Sequence, residues 1–102
     1  TLIAPLAADR AKARAALSNH AFIEVFVDAP LDVCEQRDVK GLYAKARRGE
    51  IAEFTGISSP YEAPESPEVH IRTDKLTTDQ AVDLVLDALD KVLRSKAEDW
   101  EV

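Results

Sequence analysis

The spacing of hydrophobic and polar positions changes several times along this chain, and each change marks an element. Residues 7–18 are alanine-rich, with Arg10, Lys12 and Arg14 on the way and Asp9 in what would be the first turn, which predicts a helix. Asn19 and His20 end it, and His20 reads as a solvated residue near a helix C-terminus. FIEVFV at 22–27 is apolar on both parities except for Glu24, the pattern of a strand buried on both faces. Asp28, Ala29 and Pro30 bound it. Pro30 suits a first helical position with Asp28 or Ala29 as the cap, so residues 31–37 are predicted to form about two turns. Residues 38–41 read as a break, and 42–48 as a helix stopped at Gly49. From 50 to 67 the chain carries Gly56, Ser58, Ser59, Pro60, Pro64 and Pro67, a polar loop of a length more often functional than idle.

Val69 and Ile71 alternate with Glu68, His70 and Arg72, which predicts a second short strand. Thr77 with Gln80 three positions on is a capping box that opens a last helix. In that helix Val82, Val85, Leu86, Leu89, Val92 and Leu93 share one face, while Asp83, Asp87, Asp90 and Lys91 mark the other. Such a stripe reads as core, and burying it would contribute about 10 kcal/mol before entropy. Residues 96–102 read as a charged tail that frays.

Two strands with helical neighbours make a parallel sheet in an α/β layered fold the economical architecture. In such sheets ligands sit beyond the carboxyl ends of the strands, and here that end is Asp28. The opening residues TLIAP resemble the end of a strand whose beginning lies upstream, and the chain contains no methionine. Both features predict a piece of something longer.

The 102 residues suffice for one small domain, and 46% hydrophobic with 31% charged residues describes an ordinary globular composition. No apolar run has the length of a membrane span and no secretory pattern opens the chain, so no membrane role and a cytoplasmic location are predicted. A single cysteine, Cys34, cannot form an internal disulfide; it fits a reducing compartment and reads as a small buried hydrophobe, with no base beside it to make a nucleophile.

Charge changes the picture more. Arg37, Lys40, Lys45, Arg47 and Arg48, set against Asp38, give residues 37–48 a formal +4, whereas the whole chain is -6. A compact positive island on an acidic protein points to an anionic small molecule, not to nucleic acid, whose backbone usually asks for a broad basic face. Phe54 and Tyr61 in the adjoining loop offer either a stacking face for a planar ligand or an anchor for the loop. The bland alternative is a solvated helix face beside an interaction surface.

FIEVFVDAPLDVCEQRDVKGLYAKARRGEI followed by FTGISSPYEAPESPEVHI closely resembles the adenylylsulfate (APS) kinases, free-standing or as modules of bifunctional PAPS synthases. The resemblance covers roughly residues 3–93 and implies the C-terminal half of a P-loop kinase, with residues 1–95 as the kinase part, a lid at about 37–50 and a substrate loop at about 51–67. It implies ATP and Mg²⁺ as cofactors, APS as acceptor, and a fused or associated ATP sulfurylase as a possible partner. Lys40 matches an APS-contacting lysine, Glu53 and Phe54 match the pair beside the APS adenine, and Ile3 and Ala4 fall at a strand end that touches APS. Arg37 is similar to an arginine that covers the ATP adenine, Lys45 and Arg47 lie in the lid, and Leu76 falls at a nucleotide-side position.

Two departures stand out. Ala4 replaces a serine that the family often carries, and no GxxxxGK[ST] phosphate loop occurs, so the Mg²⁺ ligands and the catalytic residues are expected outside these residues and the chain by itself is expected to be inactive. The alternative within the same resemblance is a non-catalytic, PAPS-sensing module of the kind appended to some ATP sulfurylases. Exposed sheet edges in such a half-domain would invite association into homo-oligomers.

Overall fold

A computed structural model describes the backbone of residues 4–100 and the side chains of residues 4–95. The predicted Ile3 contact and residues 101–102 of the tail lie outside the described residues. The elements follow the order α1 (Ala7–Ala16), β1 (Val25–Asp28), α2 (Leu31–Arg37), α3 (Leu42–Arg47), β2 (Val69–Arg72) and α4 (Thr78–Trp100). β1 and β2 pair in parallel, with Val25 opposite Val69 and Asp28 opposite Arg72. The chain is therefore α/β, as its alternation of elements requires.

Local chemistry explains most boundaries. The capping box closes in both directions: the Thr77 N–H donates to Gln80 Oε1 at 2.9 Å, and the Gln80 N–H donates to Thr77 Oγ1 at 3.1 Å. Gly49 adopts φ +77°, and the N–H groups of Gly49 and Glu50 donate to the carbonyls of Ala46 and Lys45, a Schellman ending for α3. Pro30 is the N-cap of α2 and not its first helical residue, because its ψ of 145° is still extended. α4 continues past Ser95 to Trp100 instead of fraying, since Lys96, Ala97 and Glu98 are good helix formers and no Gly or Pro interrupts them.

The core differs from the sequence expectation. Val69, Ile71 and Ala46 are the buried apolar residues among those described, at 5–6% exposure. β1 is not buried on both faces: Val27 is 66% exposed, because α4 lies over β2 and leaves the β1 side of that face uncovered. The apolar stripe of α4 is likewise not core within this chain. Leu86 and Leu93 are each 55% exposed, while Val85, Ala88 and Val92, rotated toward β2, are half-buried. One face of a two-stranded sheet is too narrow to cover a helix stripe of more than 100°.

Candidate functional site

The carboxyl end of β1 opens into a cleft of about 1200 Å³, walled by Phe26 to Ala29 from the strand end, Leu31 and Cys34 from α2, Tyr43 from α3, and Ile51, Glu53 to Gly56, Tyr61 and Ala63 from the long loop. Ala4 and Pro5 close it from the N-terminal segment. Most of this wall is apolar, with Asp28 and Glu53 as its carboxylates.

The loop is held by hydrogen bonds rather than by regular structure. The Phe54 N–H donates to Ser58 Oγ at 2.8 Å, and the Phe54 carbonyl accepts from the N–H groups of Ile57, Ser58 and Ser59 at 2.9–3.0 Å. These bonds fold 54–59 into a tight knot that fixes the Phe54 backbone. Glu53, just before it, sits at φ +52°, a left-handed conformation that a non-glycine residue adopts only when its surroundings impose it. Farther along, the Glu62 N–H donates to the Pro5 carbonyl at 2.8 Å, and Arg10 donates to the carbonyls of Ala4 and Glu62 while its guanidinium lies over the Tyr61 ring. The second half of the loop is thus tied to the segment that carries Ala4.

The basic stretch is built on Asp38. Its two carboxylate oxygens accept from the N–H groups of Tyr43 at 2.9 Å and Ala44 at 3.0 Å, which satisfies two of the orphan donors at the start of α3. Lys40 sits in the turn between, exposed, where the Gly41 N–H donates to the Asp38 carbonyl at 2.9 Å. Part of the positive charge seen in the sequence is already paired: Arg47 with Glu35 at 2.5 Å and Arg48 with Glu50 at 3.2 Å. The Arg47 hydrogen bond holds the Glu35 carboxyl below its ordinary range. Lys45, like Lys40, is exposed. Arg37 turns the other way, donating to Thr73 Oγ1 at 3.0 Å and to the Thr73 carbonyl at 2.9 Å beyond the end of β2. Leu76, three residues on, is half-buried at that same end.

The structure therefore divides the sequence-predicted residues into three groups. Ala4, Glu53 and Phe54 share the cleft, whereas Arg37 and Leu76 sit at the end of β2; Lys40, Lys45 and Arg47 belong to the basic stretch and do not line the cleft wall. Two further residues, Tyr43 and His70, were not singled out by sequence, and Asp28 was named there only as the strand end or a helix cap. Tyr43 meets Phe54 edge-on, with ring centroids 5.0 Å apart at 71°. Burial pushes the Tyr43 phenol above its ordinary value, with Cys34 beside it adding to the shift, so the ring stays neutral near pH 7. Asp28 accepts from or donates to nothing on its own strand; its Oδ2 lies 2.7 Å from His70 Nε2 and 3.8 Å from Arg72 Nε across the sheet. His70 in turn stacks on Phe26 at 4.8 Å and 6°. The parity of β1 and β2 places Phe26 and His70 on one face, but only the parallel register brings them opposite each other. Among the described residues no three His, Cys, Asp or Glu side chains converge as metal ligands.

A cleft and a basic turn lie beyond the carboxyl ends of two parallel strands, the place where α/β proteins generally bind ligands. Residues 1–72 match the family model described as adenylylsulphate kinase, and the chain belongs to that family. It is 62% identical over 85% of its length to an adenylyl-sulfate kinase of Lactiplantibacillus plantarum, and 52% identical over 92% of its length to one of Saccharomyces cerevisiae. It covers 42% and 48% of those proteins, so the chain spans about half the length of the curated relatives it matches. Among solved structures, the Mycobacterium tuberculosis APS kinase CysC, in complex with AMPPNP and APS, superposes with a TM-score of 0.76 at 50% identity, covering 84% of this chain and 50% of that one. Among the described residues no helix is long and apolar enough to cross a membrane.

Proposed function

We propose that this chain supplies the lid and the acceptor-side wall of an adenylyl-sulfate kinase, which moves the γ-phosphate of ATP to the 3′-hydroxyl of APS and releases ADP and PAPS. The observation that carries this reading is the convergence of Ala4, Glu53 and Phe54 in one largely apolar cleft with the Lys40 turn on the adjoining segment. A planar base enters such a cleft by stacking on an aromatic face, and Phe54 is that face. Lys40, exposed on its turn, is a mobile cation for the phosphosulfate oxygens, and Glu53 offers an acceptor at the rim. Arg37 and Leu76, at the end of β2, serve the ATP side.

Phosphoryl transfer depends chiefly on positioning and on neutralising charge over phosphate oxygens. The residues of this chain orient the acceptor nucleotide and bring cations over it; the cradle for the β- and γ-phosphates and the Mg²⁺ ligands belong to segments outside these 102 residues. The open sheet edge and the exposed α4 stripe support association with a further protein surface, a second copy included.

The test is release of ADP from MgATP by the polypeptide that carries this chain, with and without APS. Turnover that depends on APS is expected. Turnover at the same rate without APS refutes the assignment, and tight PAPS binding with no phosphoryl transfer marks a nucleotide-sensing module instead.

A further inference from the structure

Phe54 has a backbone fixed by the 54–59 knot, and the hydrogen bonds of the knot set no angle for its ring. What meets the ring is Tyr43, edge-on, at a centroid distance of 5.0 Å and an angle of 71°, within the favourable range for aromatic pairs. Tyr43 is held from behind as well: its N–H donates to Asp38 Oδ1 at 2.9 Å, and the turn that this bond closes contains Lys40. One residue therefore touches the base-stacking ring with its side chain and fixes the cationic turn through its backbone.

We infer that Tyr43 is a positioning residue for the acceptor nucleotide: it sets the Phe54 ring at the angle that receives the adenine, and ties that angle to the placement of Lys40, so that base and phosphosulfate are gripped together. This rests on the kinase reading above. Tyr43 takes no part in the transfer itself. The contact with Phe54 is made ring to ring, so the Tyr43 hydroxyl takes no part in that contact.

Steady-state kinetics of the polypeptide that carries this chain test the inference, with APS and MgATP varied separately. Tyr43→Leu is expected to raise KM for APS about two- to tenfold, the range an aromatic pair supplies, with KM for MgATP little changed. Tyr43→Phe is expected to keep the wild-type KM for APS. The double variant Tyr43→Leu with Phe54→Leu is expected to be no worse than Phe54→Leu alone, because the ring that Tyr43 positions is gone. If Tyr43→Leu does not fold, Tyr43→Met, of similar volume, carries the same comparisons. An unchanged KM for APS, an equal rise for both substrates, or a double variant whose losses simply multiply overturns the inference. Wild-type protein that turns over without APS overturns the kinase reading itself, and is told apart because no variant is needed to see it.

Discussion

Asp38→Ala is the most direct probe of how the basic turn is held. The Asp38 carboxylate accepts two backbone hydrogen bonds, from Tyr43 at 2.9 Å and Ala44 at 3.0 Å, and α3 has only six residues over which to make bonds of its own. A hydrogen bond to a charged acceptor contributes about 1.5–3 kcal/mol when well shielded. Asp38 is half-buried and water replaces part of what is lost, so about 1–2 kcal/mol for the pair is the reasonable magnitude, in the range of a lost helix cap. That loss corresponds to about a 5- to 30-fold larger open population. Native-state amide hydrogen exchange reads it locally: the Tyr43 and Ala44 amides should exchange faster by about that factor, while amides in the middle of α4, such as Val85 and Ala88, serve as the internal reference. Asp38→Asn, which keeps one acceptor oxygen, should give a smaller effect. Unchanged exchange at Tyr43 and Ala44, or an equal rise at the α4 amides, would refute the claim that this carboxylate holds the turn.

Further outcomes follow from the same geometry. Lys40→Ala should raise KM for APS more than KM for MgATP; equal losses in the two would remove Lys40 from the acceptor side. The Glu68 carboxyl is held below its ordinary value of 4.5 by the hydrogen bond from Arg14 at 2.7 Å, so its contribution to stability is present above pH 4.5 and is lost as the pH falls through its folded-state value. Denaturation curves taken at a series of acidic pH values should show a shallower loss for Glu68→Gln than for wild type, and identical slopes would contradict it. The exposed Leu86 and Leu93 predict concentration-dependent association of the 102-residue chain in sedimentation velocity, weakened by Leu86→Glu with Leu93→Glu. A wild-type chain that stays monomeric at all concentrations would count against it.

Local rules carried far in this chain. The Thr77 and Gln80 box closes as its spacing requires, Gly49 takes the left-handed φ that ends α3, and β2 lies where its apolar run put it, whereas β1 starts only at Val25, three residues into its run, and takes in Asp28. Each of these is decided within a few residues, by a side chain reaching its own backbone or by a φ value that only glycine adopts cheaply. Ala4, Glu53 and Phe54 were named for a different reason, the resemblance to the adenylylsulphate kinases, and the fold brings the three to one cleft.

What periodicity could not state is which partner each apolar face meets. The α4 stripe has the pattern of a core helix, yet Leu86 and Leu93 stay exposed because β2 covers only the face of the helix that carries Val85, Ala88 and Val92. The pattern records that a face needs covering; it does not say by what. The Tyr43 and Phe54 pair, the Asp28 and His70 pair, and the Arg37 bonds to Thr73 join residues 11 to 42 positions apart. Sequence alone set most of the elements, the Thr77 and Gly49 caps and the charge of the turn, since those are short-range chemistry. The tertiary structure decided which side chains meet, because contacts between distant residues depend on sheet register and helix placement, which no local pattern contains.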